Sequence, residues 1–523
     1  MLNIILMKGL KEKLKKYFKL ILFLIFILAL VVRWWHLPAN AISFAYDQAR
    51  DAFVVGEILS GDLKILGPSV SGIPGLYHGV LYYYVIAPAY LLGHGSPVTI
   101  AYWLSFLNAL VVFVIYFLAK KMTGKTFPAL IASLIFAVSF EATQYATWLS
   151  NPAMGVWFVP LIYLALYLWL KEKKNGYLAL LGLAYGLSIQ SDISLAYHIV
   201  PIGLWLWYGR KNIGKRQILT VAVAFLIAIS SMLLVEFRFG FKSLEGIKHL
   251  LTSQQIHDPK VRLGDYFVAY ANHMGKIFAH NLFPFISAFG GLLGMGILAR
   301  YIFNLKNVYK DSLEIKVLIT WILSYLVAAS VAGSNIPHIG VGLGVGFIIL
   351  TALFIWEIHK KNKFIALGIL SLILIANAAK IISENVKGQT IFAIQVDMTL
   401  ANELKVIDYT YQHAGGKPFS INSLTSPLFI NTTWSYLYNW YGVKTYGYLP
   451  SWSGKSQVGS LGDNLPKADG KEDKHFYIVE DMEGIPPIYL TYGLGEEDAH
   501  FTLIGETTFG KLKVQERRLK NAD

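Results

Sequence analysis

The chain contains no cysteine, so thiolate nucleophiles, disulfides and thiolate metal sites are all excluded. Charge is sparse as well: 15% of its 523 residues are Asp, Glu, Lys or Arg against 55% hydrophobic, and the mean hydropathy is +0.49. A soluble domain carries about a quarter of its residues as charges, so most of this chain belongs in lipid. Acids are the scarcer sign, 32 against 46 lysines and arginines, for a net charge of +14. That excess does not point to nucleic acid, because the basic residues cluster in short loops between apolar runs, as in the cytoplasmic loops of membrane proteins. No Walker-type Gly-rich loop and no His-Glu-x-x-His spacing occurs, which makes ATP hydrolysis and zinc proteolysis poor explanations.

What is present is a series of apolar runs near the roughly 20 residues that cross a bilayer. They fall at 18–36, 98–119, 126–140, 152–170, 177–192, 194–209, 217–237, 276–299, 315–332, 337–356 and 364–382, about eleven spans. Lys8, Lys11, Lys13, Lys15, Lys16 and Lys19 precede the first, which places the amino terminus in the cytoplasm. No small-residue cleavage site follows, so the first run reads as an anchor. The basic loops Lys120–Lys125, Lys171–Lys174, Arg210–Arg216, Arg300–Lys316 and His359–Lys363 share that side. They do so if Gly79–Gly93, Tyr-rich and broken by Pro88, is interfacial or re-entrant. The outer face then collects 37–97, the loop Glu141–Asn151, 238–275, the loop Asn335–His338 and everything after residue 384.

Beyond Ser383, short alternating segments and glycine turns predict a helix over Leu400–His413, a strand over Pro418–Asn422, a helix near Trp434–Tyr441, and strands over His475–Glu480 and Phe501–Val514. The expected architecture is a polytopic α-helical membrane protein in the cell membrane. It has a basic cytoplasmic terminus (1–16), a transmembrane domain (17–383) and a small extracytoplasmic α/β domain (384–523). Asn431-Thr432-Thr433 fits an N-glycosylation sequon in that domain.

The first outer loop opens with Tyr46-Asp47-Gln48-Ala49-Arg50-Asp51. Asp47 and Asp51, at i and i+4, share one helix face and repel unless a cation, metal or substrate lies between them. A surface ion pair with Arg50 is the bland reading. The functional reading takes an acid at the membrane surface as the base for an acceptor hydroxyl whose co-substrate is lipid-borne. Tyr77, His78 and Tyr82 follow in a tyrosine cluster that an aromatic belt would also explain; His78 can donate to a phosphate oxygen. Asn151 caps the fourth span ahead of Pro152, with Glu141 upstream. Gln190, Asp192 and His198 are polar at a depth where polar groups usually face a wet cavity, although His198 equally suits helix packing. Glu236 and Arg238 close the seventh span, where a snorkelling arginine competes with one that meets an anionic head group. His338 is a further candidate phosphate contact.

Over roughly residues 17 to 385 the chain resembles the GT-C glycosyltransferases that use polyprenyl-phosphate sugars, the superfamily of protein O-mannosyltransferases and lipid A aminoarabinose transferases. The resemblance is carried by the Tyr46–Asp51 motif and by His78-Gly79-Val80-Leu81-Tyr82-Tyr83-Tyr84. In that family the first-loop acid acts as catalytic base or metal-site group and is often followed by Glu; Asp47 takes its place, with Gln48 next. Aminoarabinose-transferase-like relatives carry Lys-Pro-Pro-Leu where this chain has His78-Gly79-Val80-Leu81, and an acid where Asn151 stands. The stretch Gln190–His198 looks like the family's polar notch facing the donor pocket. The resemblance implies sugar transfer from a polyprenyl-phosphate donor, with inversion, to a protein, lipid or glycan acceptor on the outer face. His78, Arg238 and His338 would bind the phosphate. No cofactor is required, and a divalent cation (Mg or Mn) is optional on Asp47 and Asp51. A lipid-linked glycan transporter or flippase, or a non-catalytic envelope assembly protein, is the alternative.

Overall fold

The computed structural model describes residues 2–70, 73, 75–252, 263–332, 336–392, 397–470, 472–480 and 485–520. Helix α1 (Leu2–Trp34) leads into the loop expected on the outer face, which folds as α2 (Tyr46–Leu59) and α3 (Leu81–Leu92). Then come α4 (Pro97–Thr123), α5 (Thr126–Ala137), α6 (Phe140–Thr147), α7 (Gly155–Glu172), α8 (Asn175–Ser191), α9 (Ile199–Tyr208), α10 (Lys215–Ala228), α11 (Ser230–Phe239) and α12 (Lys242–Thr252). The membrane part closes with α13 (Leu263–Leu282), α14 (Ser287–Phe303), α15 (Leu313–Leu323), α16 (Tyr325–Ala332), α17 (Leu343–Lys361) and α18 (Lys363–Glu384). Among the described residues five helices are long and apolar enough to cross a bilayer, or up to eight if each of three bent pairs counts as one span. This is fewer than the eleven runs drawn from hydropathy, because a run does not reveal its breaks. The pairs α5/α6, α10/α11 and α13/α14 bend by 55°, 67° and 98°, and the run at 276–299 straddles the last break, at Pro284. The run at 315–332 is split at Ser324.

Each break frees backbone groups that lipid cannot satisfy, and polar side chains from other helices fill the need. Arg33 donates to the α5 end at Ala137 O (2.8 Å) and Phe136 O (3.4 Å) and is steadied by Asn108 (2.9 Å). Asn377 accepts the first N–H of α6, from Phe140 (2.9 Å), and donates to the α13 end at Asn281 O and Leu282 O. Gln190 donates to Ala228 O (2.7 Å), the end of α10, and to Ser231 Oγ (2.8 Å). Asn151 donates to Ser191 O (2.5 Å), the end of α8.

The C-terminal domain, expected on the outer face, contains α19 (Leu400–Ala414), β1 (Phe419–Leu424), α20 (Thr432–Leu437), α21 (Val443–Tyr446), β2 (Ser451–Trp452), β3 (Lys474–Val479), α22 (Pro487–His500), β4 (Phe501–Phe509) and β5 (Leu512–Leu519). The sheet runs β2-β1-β3-β5-β4, with β2, β1 and β3 parallel and β5 and β4 antiparallel. The strand expected at Phe501–Val514 is two strands of a hairpin that turns at Gly510, whose φ of +60° suits glycine. The helix near Trp434–Tyr441 passes through a π turn at Tyr438–Gly442 into α21. One sheet face, with Phe419, Ile421, Phe476 and Val514, packs on Val406, Ile407 and Tyr411 of α19 in an apolar core that also takes in α2 and α3. Tyr436 ties the parts together: its ring meets Phe44 and Phe53, and its hydroxyl donates to Gly95 O (2.5 Å). The outer domain therefore braces the helix that carries Asp47 and Asp51. Asn431 of the sequon is 1% exposed, so the folded domain does not present it for glycosylation.

Candidate functional site

Helix α2 begins with Gln48 reaching back from its first turn to accept the Ala45 N–H (3.0 Å), while its amide donates to Leu149 O (3.1 Å). This fixes the direction of the helix, and with it the acidic pair. The cation that the two acids require is Arg50: its Nη1 lies 2.7 Å from Asp47 and its Nη2 2.7 Å from Asp51. The acids differ sharply in setting, with the Asp47 side chain 61% exposed and that of Asp51 3%. Burial pushes the Asp51 carboxyl up to about 7, against the pull of Arg50. Arg50 is held firmly protonated by the two acids, despite its burial. Among the described residues no group of three or more His, Asp or Glu is arranged for a metal ion. The position between Asp47 and Asp51 that a divalent cation would occupy holds the guanidinium instead, so this pair does not fit a metal.

The loop 77–80 lies against the end of α8. The Gly79 N–H donates to Gln190 O (2.9 Å), and a Cβ on Gly79 would sit 1.8 Å from the Gln190 amide, so only glycine permits this approach. It brings His78 to Asp192, which ends α8. Asp192 Oδ1 accepts the Ser194 N–H (2.9 Å), while its buried Oδ2 has no hydrogen-bond partner. His78 Nδ1 is 3.9 Å from Oδ1 and His338 Nε2 is 3.7 Å from Oδ2. The Ile193 N–H donates to His78 Nδ1 (3.2 Å), which leaves the His78 proton on Nε2, free to donate to a ligand. Burial lowers the pKa of both imidazoles, and Asp192 and Asp47 oppose that shift, so Asp47 acts electrostatically on both rings. Tyr145 and Tyr197 hold the His338 turn by the carbonyls of Pro337 (3.4 Å) and Ile339 (3.1 Å). Asn335, at the start of that loop, lies outside the described residues.

His78 also lines an apolar cavity of about 320 Å³ between α8, α11 and α12, with Tyr77, Ile193, Met232, Leu233 and Glu236 among its other walls. The Glu236 Oε2 is buried there without a partner.

Asp47, Arg50, Asp51, His78, Asp192 and His338 thus come together, with Tyr77 and Glu236 at the cavity. Other candidates lie elsewhere. Arg238 is exposed, with its guanidinium over the Phe239 ring. His198 is fully buried, bonded to the Tyr163 hydroxyl (2.9 Å) within helix packing. Gln190 and Asn151 are occupied at helix ends. Glu141 is buried against Asn281, where Gly344 leaves it room. Tyr82 is buried with its hydroxyl unpartnered; it is the next residue, Tyr83, that interacts electrostatically with both Asp51 and Arg50. The sequence reading also passed over Phe392, which stacks on Trp148 (4.3 Å, 12°) beside the His338 ring (5.7 Å). An aromatic wall formed by residues so far apart leaves no local signature.

Residues 77–234, which include His78 and Asp192, match the family described as dolichyl-phosphate-mannose-protein mannosyltransferase. The crystal structure of ArnT from Cupriavidus metallidurans bound to undecaprenyl phosphate aligns with a TM-score of 0.60 at 11% identity, over 94% of this chain and 97% of that one. The chain shares the fold of that structure. No curated protein matches the chain by sequence. The likeness extends beyond the membrane helices: the share of both chains covered takes in the small outer sheet domain as well.

Proposed function

We propose that this chain is an integral membrane glycosyltransferase that moves a sugar from a polyprenyl-phosphate donor to an acceptor hydroxyl on the extracytoplasmic face, with its amino terminus in the cytoplasm. The observation that carries this reading is that His78 belongs both to a polar cluster and to the wall of an apolar cavity. Asp47, Arg50, His78, Asp192 and His338 offer acids, a cation and imidazoles, while Met232 and Leu233 offer a wall suited to isoprenoid. A donor that is anionic at one end and hydrocarbon at the other matches both halves.

In this reaction Asp47, the exposed acid, takes the proton of the acceptor hydroxyl as its oxygen attacks the anomeric carbon. The bond from that carbon to the phosphate oxygen breaks, its electron pair leaves with the polyprenyl phosphate, and the configuration inverts. The His78 Nε2–H, His338 and Arg50 stabilise the departing anion; Arg50 takes the role that sequence reading gave to Arg238. Asp192 positions the two imidazoles, and Asp51 with Tyr83 positions Arg50. A cofactor has no part in these steps.

The reading is tested by thermal shift of the chain in lipid nanodiscs titrated with undecaprenyl phosphate. Stabilisation that weakens at least tenfold in apparent affinity on Leu233→Trp and His78→Ala supports it. Binding equally strong in both folded variants argues for a transporter or assembly role with a different lipid path.

A further inference from the structure

The second face of the sheet is apolar at one end, where Leu424, Tyr477 and Val479 cluster, and polar at the other. Ser451, Ser420, His475 and Arg517 stand in register across β2, β1, β3 and β5, and α22 covers only part of the row. Beside it lies a cavity of about 460 Å³, walled in part by Ser420, Asn431, Ser453, Gln457 and Phe501 and separate from the cavity at His78. Its rear wall is fixed by a relay. Ser420 Oγ is 2.9 Å from His475 Nδ1, His475 Nε2 is 2.8 Å from Glu497 Oε2, and Asn422 donates to the other Glu497 oxygen (2.6 Å). The carboxylate keeps the imidazole proton on Nε2, so Nδ1 accepts from the Ser420 hydroxyl. The lone pairs of Ser420 Oγ then remain for a ligand.

A second acceptor stands nearby. Asn431 is 1% exposed and its side-chain oxygen has no partner, a state that is unfavourable until a donor arrives. Two fixed acceptors call for a ligand rich in O–H groups. The charged residues of the cavity, Asp463, Glu472 and Lys467, are of both signs, which disfavours a strongly anionic or cationic ligand. The Phe501 ring, held flat on His475 (4.0 Å, 15°), offers an apolar surface to the C–H face of a pyranose. The volume lies within the range of small-molecule sites, about 300–1,000 Å³.

We propose that this cavity binds a neutral sugar residue of the acceptor, so that the acceptor is a glycan. The assignment rests on the transferase reading for its role and on the cavity alone for its chemistry. The outer domain then selects the acceptor, while the membrane domain holds the donor.

The test uses the full chain in lipid nanodiscs, free of sugar detergents. The probes are the monosaccharides glucose, galactose, mannose and N-acetylglucosamine and their homodisaccharides, read by saturation-transfer NMR and titration. At least one probe binds the wild type, and Ser453→Leu, which fills the cavity, and Phe501→Ala each weaken it at least tenfold while thermal unfolding is unchanged. No binding by any probe to the folded wild type overturns the proposal. So does binding unaltered in both folded variants, and if one variant misfolds the other decides. Asp47→Asn keeps sugar binding, and Ser453→Leu keeps undecaprenyl phosphate binding, so failure of the acceptor site is separable from failure of the transferase reading.

Discussion

Asp47 and Asp51 lie one turn apart on α2 and share one guanidinium, yet one carboxylate faces solvent and the other is enclosed. In the proposed reaction the pair divides its labour accordingly: Asp47 exchanges a proton with substrate, and Asp51 holds Arg50 in place. Asp47→Asn is expected to leave insertion and thermal stability unchanged and to cut transfer about 10²- to 10⁴-fold, the range for loss of a general base. Rates of glycan transfer measured on matched amounts of inserted protein check this.

The buried acid also sets a pH limit. Because burial raises the Asp51 carboxyl to about 7, it gains a proton as the pH falls through that value and loosens its hold on Arg50. Transfer is expected to fall below about pH 7. In Asp51→Asn the rate is low throughout, and that limb of the pH profile is missing. Profiles of kcat/KM for both proteins from pH 5 to 9 check this.

Arg33 is fully buried and supplies donors to the end of α5. Arg33→Met removes them and leaves the carbonyl of Ala137 without its side-chain donor, while Phe136 O keeps the Ser139 N–H. A loss of about 1–3 kcal/mol is expected, the scale for a buried acceptor left unsatisfied. Thermal unfolding in nanodiscs should fall accordingly, while the donor KM of the folded fraction is unchanged.

Glu403 on α19 is fully buried, and neither carboxylate oxygen has a partner. Burial, reinforced by Glu480, raises its pKa well above the usual glutamate value. The folded state therefore holds a proton that the unfolded chain releases above about pH 4.3, so stability is greatest in acid and declines as pH rises toward the folded pKa. Glu403→Met is expected to stabilise the outer domain at neutral pH by about 1–3 kcal/mol and to flatten this slope. Unfolding midpoints at pH 5 and pH 8 check both points.

The membrane class and the outer α/β domain are legible in composition and hydropathy, and the Leu400–His413 helix was placed within a residue of its end. The breaks within the apolar runs are not legible in hydropathy, because α10/α11 carries no proline at its bend and is held by Gln190, which comes from α8. The same cause moved several candidate site residues. A polar side chain in an apolar run advertises that something needs a hydrogen bond, without saying whether that is a ligand or a helix end; Gln190 and Asn151 serve helix ends, and Asp192 and His338 face each other. Tyr83 was passed over for Tyr82 because one residue of helical rotation, 100° at 3.6 residues per turn, decides which hydroxyl meets Asp51.

The central claim is that an ionised Asp47, in water beside the bilayer, activates an acceptor for attack on a lipid-phosphate sugar. Its most direct measurement is the mass of product formed by nanodisc-embedded wild type and Asp47→Asn given a panel of polyprenyl-phosphate sugars and an acceptor glycan. The account predicts an acceptor heavier by one sugar residue, with release of polyprenyl phosphate, for the wild type and almost none for the variant. Equal product from both, or lipid-linked sugar translocated intact by the wild type with no new glycosidic bond, would contradict it.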